Sequence, residues 1–186
     1  MTSKRKIKIK QDEGQKRAHD LSIKRFALTY LVLMGIFFFV IGFTPLQRII
    51  DLNGLYTKGV VVVTSTVLKI MSIPSTYQGS IIQLPSISLD VRFGCNGLEA
   101  VMIYSVAVIA FPATWKKKIL GIVAGFIIIQ VINILRIASL AYSGIHFRRL
   151  FEYIHIYVAQ GLMIAISLGV FFIYLHYAKS KKTATA

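Results

Sequence analysis

Cys95, Arg136 and His155 are the residues whose types could together carry covalent chemistry in this chain. A cysteine thiolate is a nucleophile. A histidine can take its proton and return it to a leaving amine, and an arginine beside them can hold a carboxylate or a tetrahedral oxyanion. Cys95 stands in Phe93-Gly-Cys-Asn-Gly-Leu-Glu99, where Gly94 and Gly97 permit close approach of a substrate backbone. Asn96 and Glu99 have the spacing of a capping box, which predicts a helix start there. Cys95 would then lie one residue outside a helix N-terminus, whose partial positive charge favours thiolate over thiol. Arg136 stands in Asn133-Ile-Leu-Arg136-Ile, inside an apolar run and on one helical face with Asn133. An arginine so placed must face a partner or a wet cavity. His155 opens a later apolar run; His146 competes with it as a base, and Glu99 or Glu152 could orient either cation. Each residue also has a structural reading: Cys95 as a packing residue, Arg136 snorkelling to a headgroup, His155 at an interface, Glu99 as a cap.

Those residues need elements to hold them, and the composition says of what kind. The 186 residues are 55% hydrophobic yet carry a formal net charge of +15. Nine of the 22 Lys and Arg lie in residues 1–25, and small basic clusters separate long apolar runs afterwards. That pattern fits an integral membrane protein with basic ends and argues against a soluble enzyme, a disulfide-rich secreted domain or a disordered tail protein. One cysteine excludes an intramolecular disulfide framework and an all-cysteine metal site. The sequence has no Walker loop, GxSxG elbow, HExxH or clustered metal ligands, so no cofactor is expected.

Four apolar runs predict spans: Phe26 to Thr44, Leu98 to Pro112, Ile119 to Tyr142 and Ile154 to Tyr177. The first could also be a signal peptide, but no small-x-small site follows it, and an uncleaved anchor is read. Gly54 to Ile73 reads as a membrane-surface or domain-packing helix, with Lys58, Ser65 and Lys69 on one face. Ile87 to Phe93 alternates apolar and polar residues as a half-buried strand does; Ser80 to Leu84 is a weaker strand, and Pro85-Ser86 can turn between them. Gly121 and Gly125 form a GxxxG pair that can serve packing within or between chains.

The fold class expected is therefore an all-α integral membrane protein with four transmembrane helices, an extracytoplasmic amphipathic helix and a β-hairpin. Its parts are a basic cytoplasmic tail (1–25), a membrane domain (26–178) with an extracytoplasmic insert (46–94), and a C-terminal tail (179–186). With both termini inside, the N-terminal tail, Lys116–Lys118 and the C-terminal lysines put 15 of the 22 basic residues in the cytoplasm. Cys95, Arg136 and His155 then fall near the outer face at similar depth. The basic tail is read as topology-setting and close to anionic lipid rather than as a nucleic-acid binder.

At these blocks the sequence resembles the exosortase/archaeosortase family of membrane cysteine transpeptidases, most of all its short exosortase H type. The likeness rests on Gly94-Cys95-Asn96-Gly97-Leu98-Glu99-Ala100, on Asn133-Ile-Leu-Arg136-Ile and on His155, and covers roughly residues 26–177. It implies a Cys95, Arg136, His155 active site in the cytoplasmic membrane, working on the extracytoplasmic face. The implied substrates are secreted proteins with a C-terminal motif, a transmembrane helix and a basic cluster. The implied acceptor is a lipid- or polysaccharide-linked group, with membrane lipid as the surrounding partner. The contrasting readings are a non-catalytic assembly subunit of a surface-export system and a small transporter. Against the transporter stand the missing second intramembrane charge and the missing repeat of spans.

Overall fold

A computed structural model describes residues 23–40, 42, 51–91, 94–146 and 159–180. Residues 1–22 of the basic tail, Arg92, Phe93, Glu152 and His155 lie outside the described residues, as do the end expected for the first span and the start expected for the fourth. Among the described residues, five helices and a small sheet follow in chain order: α1 (Ile23–Val40), α2 (Leu52–Ile70), β1 (Thr76–Gln78), β2 (Ile81–Gln83), β3 (Ser88–Asp90), α3 (Leu98–Ala110), α4 (Trp115–His146) and α5 (Ala159–Ser180).

The chain is an all-α membrane protein carrying one minor sheet. Among the described residues α1, α4 and α5 are long and apolar enough to cross a bilayer. The run expected as the second span is shorter than that. α3 has 13 residues and ends before Pro112, which with the extended Phe111 stops the helix. At 1.5 Å per residue it is ~20 Å long, against ~30 Å of hydrocarbon. α4 departs the other way, with 32 residues where 24 were expected, or ~48 Å. The excess is four residues at each end, 115–118 and 143–146.

Two cores result. In the bundle, Ala100, Tyr104 and Val108 of α3 pack with Ile129 of α4 and with Met163, Val170 and Tyr174 of α5. Gly121 and Gly125 make this packing possible: a Cβ at Gly121 would stand 2.5 Å from the Tyr174 ring, and one at Gly125 would stand 2.1 Å from the Tyr104 ring. The GxxxG pair thus serves contact within the chain. The Tyr104 hydroxyl donates to the Gly121 carbonyl at 2.7 Å. The outer faces stay apolar and exposed, as at Val123, Ile127 and Phe172, which suits contact with lipid tails. α1 stands nearly apart, touching α5 by stacking Phe26 on Phe171.

The lysine cluster has local work as well as topological weight. Lys117 Nζ donates to the Ala178 carbonyl at 2.8 Å, and Lys118 Nζ to the Ile109 carbonyl at 2.6 Å. Each ammonium sits at the C-terminal end of a neighbouring helix, where the carbonyls lack helical donors.

The second core is a cap on the far end of α4. Val60, Val61 and Leu68 of α2, with Ile82 and Leu89 of the sheet and Val91 just after it, close over Ile137, Ala138 and Ala141. α2 begins two residues earlier than expected because Asp51 caps it, accepting from the Gly54 N–H at 2.8 Å. Its buried stripe is Thr57, Val60, Val61, Thr64, Ser65 and Leu68. Ser65 is therefore turned inward, while Lys58 and Lys69 flank the stripe in the open. The expected hairpin is present, with β2 and β3 antiparallel and Ile82 opposite Leu89. A third strand, β1, pairs on the other side of β2. It escaped the periodicity reading because all three of its residues are exposed. β3 is shorter than the expected strand and covers Ser88 to Asp90.

Candidate active site

Cys95 lies where the two cores meet, on a turn between Val91 of the cap and Ala100 of the bundle. The turn is built from backbone geometry that only glycine adopts easily. Gly94 has φ +88° and Gly97 φ +79°. Gly97, not Asn96, is the N-cap of α3, and it has no side chain to cap with. The expected capping box does not form. Asn96 Oδ1 instead accepts from the Leu98 N–H at 3.0 Å, two residues on. The turn wins over the box because Asn96 has other work for its amide.

That amide is held from the cap. Asn96 Nδ2 donates to Asn53 Oδ1 and to Thr57 Oγ1, each at 2.9 Å. Asn53 and Thr57 are four apart on α2 and so share one face. Neither was singled out in the sequence, although an Asn/Thr pair at that spacing in an apolar helix is a signal for a polar contact. From the bundle side, Asn133 Nδ2 donates to the Asn96 carbonyl at 2.8 Å. One turn further along α4, Arg136 Nη2 donates to the Cys95 carbonyl at 2.6 Å and lies 3.3 Å from Cys95 Sγ. The spacing of three between Asn133 and Arg136 thus matches two successive carbonyls of the turn. Asn96 and Asn133 are fully buried, and Arg136 is 8% exposed.

Gly97 is packed as tightly as it is bent. A Cβ there would meet the Asn133 carboxamide carbon at 2.7 Å. Gly97→Ala is expected to destabilise by about 1–2 kcal/mol for the left-handed backbone. Displacing Asn133 adds about 1–3 kcal/mol more. Thermal melting in detergent measures this, and Asn133→Ser in the Gly97→Ala background should recover part of it. A Gly97→Ala protein melting with the wild type would contradict the packing described.

The electrostatics of the thiol differ from the expectation. Burial pushes the Cys95 thiol above its ordinary range; the Arg136 charge and hydrogen bond pull it down by less, and Asp90 pushes it up again. With Gly97 as the cap, Cys95 also stands one residue further from the helix end than expected, which weakens the dipole's help. The resting side chain is thus a neutral thiol at pH 7. Alkylation of Cys95 is expected to be slower than that of a free thiol at pH 7. It should climb about tenfold per pH unit and still be rising at pH 9. A rate that levels off below pH 8 would show a thiolate at rest and contradict this account.

Beside the turn is a narrow cleft of about 10 Å³, room for one water. Gly94, Gly97, Glu99 and Arg136 line it on one side, and Met163 and Ile164 of α5 on the other. The geometry therefore brings together Cys95, Asn96, Gly97, Asn133 and Arg136, with Glu99 at the cleft wall. His155 lies outside the described residues, four positions before the start of α5. Among the described residues no group of His, Cys, Asp and Glu is placed to hold a metal ion.

A family model described as transmembrane exosortase matches residues 21–173. No curated protein and no solved structure matches the chain.

Proposed function

The chain belongs to the transmembrane exosortase family, and from that premise we propose that it is a membrane cysteine transpeptidase acting on the C-terminal sorting signals of secreted proteins. Membership supports a transpeptidase-like role at the membrane. The observation that carries the finer reading is the Arg136 guanidinium, shared between the Cys95 carbonyl and Cys95 Sγ. A fixed cation within reach of a lone thiol is what a thiolate, or an oxyanion formed by its attack, requires.

The proposed reaction has two balanced halves. A base, His155 in this reading, takes the Cys95 proton, and the sulfur attacks the scissile carbonyl. The tetrahedral oxyanion lies toward Arg136. The C–N bond breaks, the amine leaves with the proton from the imidazolium, and a thioester joins the substrate to Cys95. An acceptor amine or water attacks that thioester and gives its proton to the base; the C–S bond breaks, and the base passes that proton to the departing sulfur, which restores the Cys95 thiol. The resting neutral thiol fits this scheme, since the proton is removed only when a substrate is present. In this reading the site lies on the extracytoplasmic face of the cytoplasmic membrane, and the acceptor is a lipid- or polysaccharide-linked amine.

Mass spectrometry of the C-terminus of a secreted reporter, with and without the chain, tests the proposal. The expected product is shortened at the signal and carries an acceptor or a free carboxylate. The raised thiol is also what a non-catalytic assembly subunit would show. An unprocessed reporter with an intact, inserted chain would favour that second reading.

A further inference from the structure

The bundle holds an open apolar groove of about 290 Å³ between α4 and α5, away from Cys95 and unused by the reaction. Leu120, Gly121, Ala124, Gly125 and Ile128 form one wall, and Tyr174 stands in the other. Gly121 to Ile128 extends ~10 Å along α4, and Lys117 to Ile128 ~16 Å. Half of a hydrocarbon core is ~15 Å, so the groove has the depth of one leaflet.

Its mouth is cationic. Lys116, Lys117 and Lys118 stand at the N-terminus of α4, which adds partial positive charge. Lys117 Nζ lies 5.8 Å from the ring centre of Tyr177, itself a groove residue. A second observation comes from Tyr174. It is 4% exposed, and its hydroxyl has no hydrogen-bond partner among the described residues. A buried phenol without an acceptor is costly, and it lies about a turn of α5 below Ala178. A purely hydrocarbon occupant would leave that hydroxyl unmet.

We propose that this groove is a binding site for one anionic diacyl phospholipid of the leaflet at the lysine end. The phosphate lies at Lys116 and Lys117, an ester carbonyl accepts from Tyr174, and an acyl chain fills the wall made by Gly121, Ala124 and Gly125. The negative headgroup matches the cationic mouth, and the chain matches an almost wholly apolar lining. Gly121 and Gly125 then have a second consequence: they let the Tyr174 and Tyr104 rings sit low against α4, and the groove lies beside those rings.

The test is native mass spectrometry of the detergent-purified full chain, offered phosphatidylglycerol and phosphatidylcholine in equal amounts. Selective retention of one phosphatidylglycerol is expected. Lys116→Gln leaves the Lys117–Ala178 bond in place and should weaken retention about fivefold, the usual effect of one lysine at an anionic lipid surface. Ala124→Phe keeps every lysine and should abolish retention by filling the groove. Tyr174→Phe should weaken it without lowering the melting temperature. Equal retention of the two lipids would overturn the proposal. So would phosphatidylglycerol binding unchanged by Ala124→Phe, or displacement of the lipid by an apolar transmembrane peptide.

Discussion

Cys95→Ala is expected to abolish processing of a sorting-signal reporter while leaving the chain inserted and folded. Cys95 is half-buried, and the change removes one sulfur atom. The turn around it is held by its own carbonyl and by Asn96, not by Sγ alone. The melting temperature should therefore stay close to that of the wild type. Cys95→Ser is expected to be inactive as well, because burial that already opposes a thiolate would oppose an alkoxide far more. Mass spectrometry of the reporter C-terminus reads the result. Normal processing by the alanine variant would end the nucleophile assignment, whatever the family.

Arg136→Gln is expected to lower the rate of transfer by about 10²–10³, the usual loss when one oxyanion donor is removed. The effect should fall on kcat, since the cation is needed only when charge develops on sulfur or oxygen. Stability should fall too, because the Cys95 carbonyl loses its 2.6 Å donor. Arg136→Lys separates the two roles. It keeps the charge but not the planar fork, and so should retain more activity than glutamine without restoring the wild-type rate. The pH dependence separates them again. Without the guanidinium nothing offsets burial and Asp90, so the alkaline rise in Cys95 alkylation should move to higher pH in Arg136→Gln. The lysine variant should lie between. A wild-type rate and alkylation profile in Arg136→Gln would reduce Arg136 to a packing residue.

The parts of this fold that could be read from sequence are those set by local pattern. Hydropathy located the apolar helices because lipid leaves the chain few alternatives. Alternation from Ile87 onward located the hairpin. Helix length was less legible: α3 ends early at Phe111 and Pro112, and α4 starts four residues before its apolar stretch, where Lys117 and Lys118 bond to carbonyls of the neighbouring helices. At the site, the rarity of an intramembrane arginine marked Arg136, and its spacing from Asn133 marked the shared face. The capping box misled because it is a rule about local competition, and a tertiary claim on the Asn96 amide decided the outcome. Asn53 and Thr57 were missed for the same reason, since their partner is about forty residues away in the chain. The raised thiol was also beyond sequence, because desolvation depends on what packs around a group rather than on its neighbours in the chain.

The turn at Cys95 is anchored on one side by α2 and on the other by α4. Membrane insertion alone completes only half of those anchors. A chain whose helices have entered the bilayer but whose cap has not yet docked lacks the Asn53 and Thr57 acceptors for Asn96. Its thiol would sit on an unfastened loop, out of register with Arg136. Insertion of the helices and fastening of the turn are thus separable events, and the second waits on the docking of α2.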